Sequence, residues 1–222
     1  MNYLRKVWTI VWKDLLTELR TREMIGSVLV FALLVLFIFN FAFELRVEQV
    51  KAVAPGVLWV TFTFAGTLGL NRAFVLEKDR GCLDGLLLGP VDRSVLYFGK
   101  MAGNTLFMLV VEAVALPAFV VLFNLPFPPL LPVVVFLGTV GFAGVGTLLS
   151  AMTVHTRARE VLLPVLLFPV VVPVIVAAVK LTAGLLDGLP LGGMVHWLRL
   201  LVAFDAIFLA VAYVTFDYVV EE

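Results

Sequence analysis

The sequence is poor in cysteine, histidine and charge. Cys82 is the one cysteine among 222 residues, so no intrachain disulfide can form. Two histidines, His155 and His196, and no CxxC or Cys/His cluster leave no protein-built metal site to expect. Charged residues make up only 14%, and sixteen basic side chains cancel sixteen acidic ones. Bulk charge therefore points to no nucleic-acid partner. A phosphate-cradling GxxxxGK[ST] loop is also missing. Gly99 and Lys100 are followed by Met101 and lack the earlier glycine, so the chain is not expected to hydrolyse ATP itself. No repeat of solenoid period and no low-complexity linker divides the chain, which reads as a single membrane domain over 1–222.

What is present is apolar. Hydrophobic residues reach 62% and the mean hydropathy is +1.10. A soluble domain of this size could not bury so much apolar surface, so the solvent is a bilayer. The expected fold is an all-α integral membrane protein of six spans, at about 24–43, 54–75, 95–123, 130–152, 161–180 and 196–219. The first apolar run, about 20 residues from Met24, is too long for the core of a cleavable signal. Pro126, Pro128 and Pro129 predict a tight turn between the third and fourth spans. Asp187 to Gly193 predicts the loop before the sixth. Pro164, Pro169 and Pro173 fall inside the fifth span and are expected to kink it.

Ahead of these spans, residues 3–22 read as an amphipathic helix. Leu4, Trp8, Trp12, Leu15 and Leu19 recur on one face, with Arg5, Lys6, Lys13, Asp14, Glu18, Arg20 and Arg22 elsewhere. Tryptophan beside lysine and arginine suits a helix lying in the membrane interface; a helix packed on a soluble partner is the other reading. Orientation follows the basic residues of the short loops. The N-terminal segment, the stretch with Arg72, Lys78, Arg80, Arg93 and Lys100, and the loop with Arg157 and Arg159 outweigh Arg46, Lys51, Lys180 and Arg199. Both termini and residues 77–93 are therefore expected in the cytoplasm.

Glu112 and Asp205 fall inside spans. A carboxylate there costs several kcal/mol unless it is protonated, paired or wet. Two readings stand, a conformational or translocation gate and a structural hydrogen bond between helices. Gly138, Gly141, Gly144 and Gly146, with Gly99 and Gly103, offer small surfaces for close helix approach and leave a self-dimer open. Lys180 and Arg199 can extend toward the interface.

The charged island at 77–93 stands out. Glu77 to Arg80 is polar, Gly81 permits a turn, Leu83, Leu86 and Leu87 form one edge, and Gly89 with Pro90 stops the segment. A short leucine-edged helix between two spans can seat in a partner's groove; a solvated loop is the plainer reading. The pattern Glu-x-x-x-Gly-x-Leu-Asp-x-Leu-Leu-x-x-Pro from Glu77 to Pro90 resembles the coupling segment of six-helix ABC exporter permeases. Together with Ala54-Pro-Gly-Val-Leu-Trp-Val60, it is similar to the cytochrome c maturation permease B family.

That resemblance implies a bacterial inner-membrane subunit. Its partners would be a cytoplasmic ABC ATPase (CcmA-like), a heme-handling membrane subunit (CcmC-like) and a small single-span subunit (CcmD-like). It implies that ATP is spent on the partner and that heme is a transported or handled ligand, used either in export or in releasing a heme-loaded chaperone for cytochrome c biogenesis. Leu83, Leu86 and Leu87 would anchor the ATPase, Glu77 and Asp84 would make polar contacts, and Gly81 and Pro90 would set the bend. His196, beside Trp197, is the candidate for heme contact; His155 is expected only to add positive charge. Three alternatives stay open: an ABC exporter permease for lipid, glycan or drug, a secondary transporter, and a passive scaffold.

Overall fold

The computed structural model describes residues 3–21, 23–43, 47–74, 78, 81, 92–154, 156 and 158–219. Its helices, in chain order, are α1 (Tyr3–Thr21), α2 (Glu23–Phe43), α3 (Val47–Leu70), α4 (Arg93–Leu122), α5 (Leu131–Thr153), α6 (Arg159–Leu186) and α7 (Leu191–Val219). Six of them, α2 to α7, are long and apolar enough to cross a membrane. Each places backbone N–H and C=O groups in its own hydrogen bonds, which is what a segment surrounded by lipid requires.

The span boundaries shift from those expected. The second span starts earlier and stops at Leu70, where Asn71 to Phe74 form a turn instead of continuing the helix. The fifth runs on to Leu186, with Leu181, Ala183, Leu185 and Leu186 continuing the apolar run, and the break comes only at Asp187 and Gly188. At 28 residues it is about 42 Å long, so it tilts or reaches beyond the hydrocarbon. The sixth begins at Leu191, five residues before the expected start. Lys180 and Arg199 thus project from within helices, both exposed, rather than from helix ends. A single helix also runs through Pro164, Pro169 and Pro173.

α3 and α5 are the centre of the bundle. About 72% of the membrane window of α3 and 67% of that of α5 is buried, against 17% for α2 and 22% for α7. α5 packs on α3, α4, α6 and α7, whereas α2 packs on α3 and α4 at the edge. Side chains such as Leu36, Leu58, Phe119, Leu131 and Leu167 fill the interior, while Val30, Leu34, Phe37, Ile38 and Phe41 face outward from α2. An apolar exterior is the expected inversion for a protein whose solvent is lipid.

The expected proline turn is present between α4 and α5. It opens with a left-handed Asn124 (φ 48°), and the N–H groups of Asn124 and Leu125 donate back to Val121 and Val120. These bonds satisfy carbonyls that the end of α4 leaves free, and Leu125 is buried in the core as the motif prefers. Gly188 (φ 72°) closes α6 at the same end of the bundle in the same way, with Leu189 donating to Gly184.

Candidate functional site

At the opposite end lies the stretch between α3 and α4. Of the residues expected to dock a partner, Glu77, Leu83, Asp84, Leu86, Leu87 and Pro90 lie outside the described residues, as does Cys82. Gly81 is described. It is exposed, sits at φ 63°, and its N–H donates to the Lys78 carbonyl at 2.9 Å. A left-handed backbone there is the bend that glycine was expected to permit.

This end is tied together across four helices. Lys78 Nζ donates to the Val154 carbonyl at the end of α5, at 2.6 Å. Such a contact places a cation at a helix C-terminus, where the dipole favours it. Ser150 Oγ donates to the Leu70 carbonyl at 2.8 Å, closing the end of α3 onto α5. Tyr97 Oη donates to the Gly144 carbonyl at 2.9 Å, and its ring lies 5.2 Å from that of Phe216 on α7. Phe74, Leu96, Tyr97, Ala151, Val154, Ala212 and Phe216 form a small separate core beneath these bonds.

α1 lies against the start of α4. Ile10 packs so close to Gly99 that a Cβ at that position would come within 2.8 Å of it. Asp14 Oδ2 pairs with Lys100 Nζ at 3.0 Å, and Tyr3 Oη donates to Ser94 Oγ at 3.2 Å. Glu18 accepts from the Ile25 N–H at 3.0 Å and so caps the first turn of α2. Leu4, Trp8 and Trp12, on the expected apolar face, point away from the bundle and are exposed, while Val11 is buried. The helix is thus docked by one edge and free along its tryptophan edge, the disposition an interfacial helix needs. The side chain of Leu19 lies outside those described.

The two carboxylates inside the spans are in different situations. Glu112 on α4 is buried, and its two oxygens share one bifurcated bond from Thr139 Oγ1 on α5, at 2.7 Å and 2.9 Å. It borders a narrow cavity lined by Trp59, Thr63, Met108, Thr139 and Val174. Asp205 on α7 faces Gly141 on α5, and its two oxygens are buried without a hydrogen-bond partner among the described residues. A Cβ at 141 would collide with the Asp205 carboxylate, so any larger residue there would displace that side chain.

Several residues take roles the sequence pattern did not show. Lys100, counted with the loop cations, is 2% exposed inside α4. Trp59, one of four scattered tryptophans, is core: its indole N–H donates to Thr182 Oγ1 on α6 at 2.9 Å, and its ring fills the space over Gly138. Asn104 Nδ2 donates to Thr147 Oγ1 at 2.9 Å, and Asn40 Nδ2 to the Leu122 carbonyl at 2.6 Å. The in-span position of Asn40 and Asn104 was the available signal. His196 is exposed on α7 with its ring 4.8 Å from that of Trp197, and His155 lies outside the described residues.

A bundle of six spans with an N-terminal helix docked by one edge defines a multi-pass membrane protein. Residues 5–221 match the CcmB protein family, and the chain belongs to that family. Among similar proteins, heme exporter protein B of Rhodobacter capsulatus is 30% identical over 179 residues, 80% of this chain and 82% of the relative. Heme exporter protein B of Pseudomonas aeruginosa is 27% identical over 181 residues, 81% of each chain. That of Paracoccus denitrificans is 30% identical over 166 residues, 74% of this chain and 76% of the relative.

Proposed function

We propose that this chain is the permease subunit of an ABC complex in cytochrome c biogenesis, working with a separate ATPase. The family membership and the relatives named heme exporter protein B support a membrane component of a heme-exporter system. The chain spans a bacterial inner membrane with both termini in the cytoplasm, and residues 77–93 lie on that side and are gripped by the ATPase. Leu83, Leu86 and Leu87 anchor it, Glu77 and Asp84 make polar contacts, and Gly81 and Pro90 bend the segment. ATP is bound and hydrolysed on the partner. This chain contributes no chemical step.

The observation that carries the reading is the linkage at this end of the bundle. Lys78, at the head of the gripped segment, holds the end of α5, and α5 is the helix on which α3, α4, α6 and α7 pack. A push on the segment therefore reaches the central helix directly. ATP-driven closure of two ATPase subunits tilts the spans, and the change passes to the far surface or to a neighbouring heme-handling membrane subunit with its small single-span companion. Heme is handled by the complex in export or in release of a heme-loaded chaperone, with exposed His196 the contact this chain offers. Glu112, satisfied by Thr139, supports a structural role; Asp205, without a hydrogen-bond partner among the described residues, is the group whose surroundings a tilt of α7 would change.

The test is affinity capture of the tagged chain from its own membranes in mild detergent, with mass spectrometry of the companions. An ABC ATPase and heme-handling membrane subunits are expected. Capture of glycan- or lipid-export components instead would overturn the assignment to cytochrome c biogenesis.

A further inference from the structure

We propose that Lys100 is a positioning residue that makes α1, the turn after α3 and the start of α4 move as one body; its role in transmission rests on the coupling function proposed above. Three groups from two elements converge on one ammonium group. Asp14 of α1 pairs with it at 3.0 Å, the Ala73 carbonyl of the turn accepts from it at 2.9 Å, and the Phe74 ring lies 5.5 Å away. Lys100 itself belongs to α4 and is 2% exposed.

The neighbouring glycines explain how α1 reaches it. Gly99 accepts Ile10 at close range, and a Cβ at Gly103 would lie 3.7 Å from Asp14 Oδ2. Lys13 also pairs with Asp14, at 3.0 Å, so the acid is held from both sides. For stability alone, a buried ion pair is a poor choice, since apolar residues of similar size hold as well or better. What a buried charge adds is register, because the buried ammonium of Lys100 loses its counter-charge when Asp14 is removed. The groups that converge here belong to the turn leading into residues 78–92 and to both helices next to it. Motion of that segment is thereby shared with α1 and α4 and not dissipated in the turn.

The experiment uses the whole complex, captured through a tag on this chain. Whether the wild-type chain brings an ATPase with it tests the coupling reading. The positioning role is tested by Lys100→Met and Asp14→Asn. Lys100→Met is expected to keep captured ATPase and its hydrolysis while c-type cytochrome formation in the same cells falls about tenfold, a coupling of ordinary size between linked sites. Lys100→Arg should restore part of the output. Asp14→Asn leaves the ammonium on the Ala73 carbonyl and gives the same comparison with a smaller fall, should Lys100→Met fail to accumulate. Hydrolysis and output falling in equal proportion, or output unchanged, would overturn the proposal. A second readout needs no ATPase. Amide hydrogen exchange along α1 in the membrane-embedded chain should quicken several-fold with Lys100→Met. An unchanged rate contradicts the latch even where no ATPase is captured.

Discussion

Thr139→Val isolates the bond between α4 and α5 at Glu112. Valine nearly reproduces the shape of threonine, so no cavity opens, and the change is confined to one hydroxyl. That hydroxyl is the donor to both Glu112 oxygens, at 2.7 Å and 2.9 Å, and Glu112 is only 3% exposed. A hydrogen bond between soluble-protein groups contributes about 1 kcal/mol net, but stranding a buried acceptor costs about 1–3 kcal/mol. Bonds between membrane helices average about 0.6 kcal/mol and reach about 1.7. The two ranges meet at about 1–2 kcal/mol for this variant. At about 2–4 °C per kcal/mol for a chain of this size, the melting temperature should fall by about 2–8 °C. Thermal unfolding in detergent, followed by tryptophan fluorescence, measures it. Glu112→Gln keeps a carbonyl that can accept from Thr139 and should cost less. Glu112→Met removes the acceptor itself, so the double variant of Glu112→Met with Thr139→Val should cost clearly less than the sum of those two single changes. Costs that add to within about 0.3–0.5 kcal/mol would refute the reasoning, because independent sites behave that way.

Other expectations follow from single contacts. Gly138→Ala drives a methyl onto the Trp59 ring and should cost about 1–3 kcal/mol of unfolding free energy in the same melt. Trp59→Phe removes the bond to Thr182 and should cost about 0.5–1.5 kcal/mol for the bond, with the lost ring area in addition. On the proposed topology, Leu86→Asp should release the ATPase while the permease stays inserted; tight co-purification that survives the change counts against docking there. An impermeant thiol label should reach Cys82 from the cytoplasmic side only, and labelling from outside the cell would overturn the topology.

The spans were legible because hydropathy over about 20 residues is a local property, and so were the proline turn and the glycine bend at Gly81. Helix ends were less so. Span five, expected over about 161–180, continues to Leu186, and Lys180 sits within it with its side chain exposed. The pairings at the site were hidden. Asp14 and Lys100, Trp59 and Thr182, and Glu112 and Thr139 lie on different helices, and no local period shows which helix faces meet. Lys100 looked like any cation at a loop, and α1, packed onto Gly99 and Gly103, buries it together with the turn at Ala73 and Phe74. The glycine stripe on α5 hinted at close approach without naming what approaches, which proved to be Trp59, Asp205, Leu209 and Leu70.

The most direct test of the account places a photo-activated cross-linker at Leu87 in native membranes. The account predicts that illumination joins this chain to an ABC ATPase subunit, and that ATP binding changes the yield. A cross-link confined to lipid or to the periplasmic side, with no ATPase joined, would contradict it.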